Sequence, residues 1–284
     1  MDAERGGLRD WIGRRTEQVD LITAAPIGLL AATLDRDDPP ARPGDPIPPL
    51  WHWLFHLPRH RASDLGPDGH AERGAFLPPV PLPRRMWAGS RFELRRPLRI
   101  GEEVRKASII ADVREKTGRS GPLVFVTVRH ELGPADDPAI VEEQDLVYRP
   151  APVPGGSPVA GAAPAEPTGA EFSRAIRPDE ALLFRYSALT FNGHRIHYDW
   201  RYVTEVEGYP GLIVHGPLLA TLLLDLLRRE RPAAVVSRFA FRAVSPLFLG
   251  ADLTLAGRWT DGGAALWASG ADGRLAMDAE ATLR

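Results

Sequence analysis

Two hydrophobic patterns dominate the chain. Over Leu123 to Glu131 the run VFVTVRH alternates apolar and polar positions, the period of a half-buried strand. Ala107 to Arg114, Leu253 to Thr260, Ala264 to Ser269 and Ala276 to Leu283 are strand-like in the same way. Pro217 to Leu227, PLLATLLLDLL, is instead apolar nearly all round over a helical length, which predicts a helix buried against a sheet. Pro49 to Leu57, PLWHWLFHL, is the corresponding candidate ahead of the first set of strands. A proline at the start of each suits the first helical turn, where an N–H has no helical partner to lose.

The arrangement occurs twice. Pro97-Leu98-Arg99-Ile100-Gly101-Glu102-Glu103-Val104 resembles Pro246-Leu247-Phe248-Leu249-Gly250-Ala251-Asp252-Leu253, 149 residues further on, and strand-like runs follow each copy. Between them Arg149 to Glu171 reads RPAPVPGGSPVAGAAPAEPTGAE, with no aromatic residue and almost no core-forming side chain. Such a segment cannot offset its ordering entropy by burial, so an exposed, partly extended linker is expected over 149–171. The chain then divides into halves at 1–148 and 172–284. One buried helix followed by a meander of antiparallel strands, given twice, describes an α+β architecture in which a sheet wraps a helix.

Composition narrows the chemistry. The 284 residues, 44% hydrophobic and 25% charged, suit one large or two ordinary domains. Thirty-five basic against 37 acidic residues leave a net charge of -2, with no excess to hold a nucleic acid or an anionic membrane. Zero cysteines remove disulfides, thiolate metal sites and cysteine nucleophiles together. Met1 to Asp20 lacks an apolar signal core and stretches such as Leu218 to Leu224 are too short to span a bilayer, so a cytoplasmic location is expected.

Polar chemistry concentrates in Phe184 to Leu224. This segment holds Asn192, the single asparagine, and three of the eight histidines, His194, His197 and His215. His197 is an acid/base candidate, since an imidazole can take and return a proton near neutral pH. Asn192, five residues before it in a turn-like stretch, offers an amide to a water. Gly216 stands where the buried helix should begin, so its N–H and the positive end of the helix dipole can polarise a carbonyl oxygen. Asp199 suits a cap for a helix at Trp200 to Glu205. The His-x-x-His of 194 and 197 lacks a clear third ligand, and no metal is expected.

Asn192-Gly193-His194-Arg195-Ile196-His197 followed by His215-Gly216-Pro217 resembles the Asp-x-Asn-Pro-Leu-His and His-Gly-Met pattern of the MaoC-like hydratase/dehydratases of the hotdog fold. FNGHRIHYD preceded by YSALT is similar to the subgroup of type-2 hydroxyacyl-thioester dehydratases and mesaconyl-C4-CoA and itaconyl-CoA hydratases, as is Arg84-Arg85-Met86-Trp87-Ala88-Gly89. The resemblance implies a double hotdog and an acyl-CoA hydratase/dehydratase. His197 would be the principal acid/base, Asn192 would orient water or thioester, and the Gly216 N–H would stabilise the enolate oxygen. Asn192 is a departure: the wider family has Asp there, and an amide exchanges no proton near neutral pH. The first half has no such motif and is expected to be a degenerate half that shapes the acyl pocket. Arg195 and Arg185 are the expected partners of a substrate carboxylate, with Tyr186 and His215 as further substrate-binding candidates. No cofactor is expected beyond the coenzyme A or pantetheine carried by the substrate, and a homodimer is the expected assembly. Two alternatives stand beside this reading: a 3-hydroxyacyl-thioester dehydratase of fatty-acid or polyketide synthesis, and a non-catalytic acyl-thioester binding subunit.

Overall fold

The computed structural model describes residues 7–118, 121–151 and 163–284. Its strands are β1 (Arg15–Leu21), β2 (Arg84–Leu94), β3 (Glu103–Gly118), β4 (Gly121–Leu132), β5 (Ile140–Arg149), β6 (Phe172–Ile176), β7 (Val236–Ala243), β8 (Leu253–Thr260), β9 (Gly263–Gly270) and β10 (Leu275–Leu283). They form one sheet in the order β1-β3-β4-β5-β2-β7-β10-β9-β8-β6, with each pair antiparallel. From either outer edge inward the connectivity is the same, and β2 meets β7 at the centre over Gly89 to Glu93. Gly89 explains part of the RRMWAG stretch. A Cβ there would overlap the Phe241 carbonyl oxygen across the central strand pair, and the β2–β5 register shifts beside it.

The sequence repeat is one structural device used twice. Leu98 and Leu247 accept backbone bonds from Ile47 and Val214, each at 2.9 Å, and Gly101 and Gly250 donate to Ile22 and Pro178 at 2.8 and 3.1 Å. Both glycines adopt positive φ, +90° and +79°, which a side chain would resist. Each copy turns the chain into the third strand of its half.

The three helices are α1 (Ala24–Thr33), α2 (Glu180–Thr190) and α3 (Gly216–Glu230). Pro217 starts α3, every residue from Leu218 to Leu227 is buried, and Arg228 and Arg229 face the negative end of its dipole. The first half departs from the expected pattern, because Pro49 to Leu57 forms only a single 3₁₀ turn, Trp51–Leu54. Leu50 and His56 stand on either side in left-handed conformation, φ 67° and 54°, so the helical path is broken at both ends. Where the second half buries the four turns of α3, the first half has one short turn, and Trp53, Phe55, His56 and Leu57 of this stretch line a cavity. The centre of the linker, residues 152–162, lies outside the described residues; beyond it Ala165 bridges to Arg274 and Glu166 N–H donates to Gly273 O at 2.9 Å.

Candidate active site

A cavity of about 1190 Å³ opens between the halves, and Asn192, His194, His197, Gly216 and Tyr186 stand on its wall. Local structure places them. Asp179 caps α2 by accepting from Leu182 N–H at 2.8 Å, and Phe191 ends the helix in left-handed conformation. That turn presents Asn192, whose Oδ1 accepts from His194 N–H at 3.0 Å, which leaves the side-chain NH₂ as its donor group. Asp199 accepts from Tyr202 N–H at 3.0 Å beside the helical turn that begins at Trp200, and the Tyr202–Val206 stretch has π geometry.

His197 is pinned to the strand-like segment before α3. Ile213 N–H donates to Ile196 O at 3.0 Å, and His197 Nδ1 donates to Ile213 O at 2.7 Å. A carbonyl can only accept, so Nδ1 carries the proton and Nε2 keeps its lone pair. The ring stacks on His215 at 3.7 Å between centroids. Burial pulls the His197 pKa down to about 4, so the ring is a neutral base at physiological pH. The acid limb of kcat/KM should therefore hold down to about pH 5.5 and fall only on further acidification, unlike that of a free imidazole that titrates near ~6.5. Initial-rate assays across that range check this, and a break at the free-imidazole value would remove His197 from the base role. Stability moves in the same sense. The unfolded chain takes up the proton first as pH falls, so stability present above about pH 6.5 is lost at up to about 1.4 kcal/mol per unit towards the folded-state value.

Three sequence candidates lie elsewhere. His215 has no exposed surface and is off the cavity wall: its Nε2 meets Ser187 Oγ at 2.8 Å, and it supports His197 from behind. Arg195 is likewise off the wall, because its guanidinium is drawn to Asp199 at 2.7 Å and Pro67 O at 2.9 Å and lies over the Tyr202 ring. Arg185 is exposed on α2, also off the wall. Tyr186 does line the cavity but is 2% exposed, with its hydroxyl 3.4 Å from Thr221 Oγ1.

The first half adds polar groups that the His197 motif does not contain. The loop carrying Asp68 and His70 packs on the Asn192–Arg195 turn, and Asp68 O accepts from Arg195 N–H at 2.9 Å. Asp68 Oδ2 lies 3.1 Å from His70 Nδ1, and the His70 ring sits 4.2 Å from that of His194. The polar ends of Asp68, His70 and His194 fall within 4.8 Å of one another, a spacing at which they can share a proton or a small cation. Burial and the neighbouring His70 and His197 hold His194 neutral. β2 adds Arg84 and Arg85 to the wall. Arg84 pairs with Glu207 at 2.8 Å, while Arg85 has no carboxylate within 4 Å among the described residues. The sequence did hold one signal for this loop: a His among Asp, Gly and Glu in SDLGPDGHAERG, outside any strand pattern.

Residues 50–249 match the family model "Hydroxyacyl-thioester dehydratase type 2". A protein of Chloroflexus aurantiacus named mesaconyl-C(4)-CoA hydratase is 46% identical over 275 residues, which cover 96% of each chain. Among solved structures, a MaoC-like dehydratase superposes with a TM-score of 0.72 at 17% identity, covering 98% of this chain and 99% of that one. A Mycobacterium tuberculosis protein described as having a double hotdog fold gives 0.59 at 14% identity, over 96% of both. The sheet order, the paired turns at Gly101 and Gly250 and these matches agree: the chain is a double hotdog and belongs to the hydroxyacyl-thioester dehydratase type 2 family, a hydro-lyase acting on acyl thioesters.

Proposed function

We propose that the preferred substrate is a short branched dicarboxylyl-CoA, mesaconyl-C4-CoA (3-methylfumaryl-CoA) or itaconyl-CoA, hydrated to citramalyl-CoA. The observation that carries this reading is Arg85. In 3-methylfumaryl-CoA the free carboxylate sits on the carbon that receives water, so its cation must lie close to the base. Arg85 is on the wall, lacks a carboxylate partner among the described residues, and its charge reaches both His70 and His194. It takes the part that the sequence assigned to Arg195 and Arg185. The name of the Chloroflexus aurantiacus relative supports the same acyl group.

Water bound near His197 and the Asn192 amide would lose a proton to His197 Nε2 as its oxygen attacks the β-carbon. Charge moving onto the thioester oxygen would be met by Gly216 N–H, a first-turn amide that α3 itself cannot satisfy. Base, amide donor and helix terminus supply these roles from the chain's own groups, which supports a reaction needing no cofactor beyond the coenzyme A or pantetheine of the substrate. In this reading residues 1–148 shape the acyl pocket, 149–171 link the halves and 172–284 carry the His197 motif. The cytoplasm and a homodimer complete the proposal. In its support, no helix among the described residues is long and apolar enough to cross a membrane. Light scattering tests the dimer.

A panel of enoyl-CoAs with and without a distal carboxylate tests the substrate, followed by loss of thioester-conjugated absorbance for the α,β-unsaturated members and by chromatographic detection of citramalyl-CoA for itaconyl-CoA, whose double bond is not conjugated to the thioester. Arg85→Ala should raise KM for the dicarboxylyl thioester at least about tenfold more than for crotonyl-CoA, the value of one charge-assisted hydrogen bond; equal effects on both would sink the assignment. The apolar stretch of wall formed by Phe76, Leu77, Val128 and Leu146 favours a second reading, a 3-hydroxyacyl-thioester dehydratase with an alkyl chain, and the same panel separates the two. Gly216→Ala probes the oxyanion site. A Cβ there meets no atom within 4 Å, so thermal stability should hold or rise, whereas the added methyl projects into open space beside the cavity and should lower kcat/KM about tenfold or more. An unchanged rate would place the thioester elsewhere.

A further inference from the structure

Hydration needs two proton transfers, one from water at the β-carbon and one to the α-carbon, and Asn192 can perform neither. We propose that the first half supplies the missing group: His70, held by Asp68, is the second acid/base residue of the site, acting at the α-carbon while His197 acts at the β-carbon. This rests on the hydratase reading above and gives the first half a chemical part in it, beyond shaping the pocket.

The geometry is that of an oriented imidazole. Asp68 Oδ2 accepts from His70 Nδ1 at 3.1 Å, and Asp68 Oδ1 accepts from His70 N–H at 3.0 Å, so one carboxylate fixes both ring and backbone. Nε2 is then the nitrogen left for substrate, and both residues line the cavity that holds His197. The His194 ring bridges them, 4.2 Å from His70 and 5.6 Å from His197 between centroids. The loop is also latched to the site. Gly66 N–H donates to His70 O at 2.7 Å, Arg195 donates from its backbone to Asp68 O and from Nη1 to Pro67 O, each at 2.9 Å, and a Cβ on Gly69, φ +85°, would overlap the Gly193 carbonyl oxygen. Glycine at 69 satisfies both that φ and that approach.

The groups facing His70 are Asp68 and Arg73 from its own loop, Arg85 from β2 and His194 from the second half. Burial and the two arginines oppose its imidazolium, and Asp68 supports it. Asp68 stays ionised: burial works against this, but the bonds and charge of His70 outweigh it. In dehydration the Cα–H bond breaks, its proton goes to His70 Nε2 and its electron pair moves onto the thioester as an enolate. As that pair returns to form the Cα=Cβ bond the Cβ–O bond breaks, and the departing hydroxide takes the proton held on His197 Nε2 and leaves as water. Hydration is the reverse. Each turnover moves one proton between the two histidines, and exchange through cavity water restores the starting state.

The test uses the full-length chain, the thioester that it hydrates fastest, and the variants His70→Ala, His70→Gln and Asp68→Asn. We expect His70→Ala to lower kcat at least about 100-fold with KM within about threefold, thermal midpoint held, and partial rescue by added imidazole. Asp68→Asn, which keeps the shape and removes the charge that supports the imidazolium, should lose about tenfold and shift a limb of the kcat pH profile. If His70→Ala or a folded His70→Gln variant retains kcat within about twofold of the parent, the proposal fails while the hydratase reading stands. Loss of activity on dialysis against EDTA, restored by zinc, would also overturn it, because the cluster would then be holding an ion. Failure of the hydratase reading shows differently, as no turnover of any enoyl thioester by the unaltered chain.

Discussion

Replacing His197 with alanine should lower kcat for thioester hydration by roughly 10³-fold while KM changes by only a few-fold. The lone pair on Nε2 is needed when water loses its proton, a demand that exists in the transition state and not in the bound ground state. Of the imidazoles beside it, His194 is drawn further from protonation by burial and by the charges of His70 and His197, which makes it the poorer proton acceptor, and His215 lies behind the stack, off the cavity wall. Alanine also removes the bond to Ile213 O and the stack on His215, so some stability will be lost. Thermal midpoints should therefore accompany the kinetics, and His197→Gln, closer in volume, should be as inactive as the alanine variant. An enzyme that hydrates its thioesters at the parent rate without His197 would leave the site as a binding surface, the non-catalytic alternative.

Asp225→Ala should be the most destabilising single change on α3, by about 3 kcal/mol or more, seen as a fall of roughly 8 °C or more in thermal midpoint. Its carboxylate is 2% exposed in an otherwise apolar helix and meets Arg36 at 2.6 Å, Arg229 at 2.7 Å and Arg174 at 3.4 Å. Arg36 comes from the segment after α1, Arg174 from β6 and Arg229 from α3, so one buried carboxylate ties the first half to the second. Removing it leaves three guanidinium groups converging without their shared counter-charge. Asp38, which pairs with Arg36 at 2.9 Å and Arg228 at 3.0 Å, limits the damage. A loss below about 1 kcal/mol would mean that these arginines relax to solvent at little cost.

Legibility in the sequence followed burial. β4 and β10 could be read because buried positions alternate along them, β3, β8 and β9 because their strand-like runs stand between turn residues, and α3 because it is apolar over its length. β1 could not: its residues are exposed except Asp20, so no period marks it. Pro49 to Leu57 misled because apolar density and a leading proline suit a buried helix and a buried turn alike. The positive φ at Leu50 and His56 that ends the turn has no glycine to announce it. His197, Asn192 and Gly216, candidates that are close in sequence, all stand on the cavity wall. Arg195 and Arg185 were assigned by the same proximity and lie off the wall, one satisfied by Asp199 and the other facing outward.

The sequence alone determined the two-fold repeat, the buried helix and the motif that names the family, because each is written in local pattern and spacing. Only the tertiary structure decided which groups converge. Asp68, His70 and Arg85 reach the His197 site because β2 pairs with β7, and because two glycine backbones, Gly69 and Gly193, approach too closely for any side chain. That meeting depends on the register of a sheet running through both halves of the chain, and register is set by packing across the whole fold, which no local run of residues records.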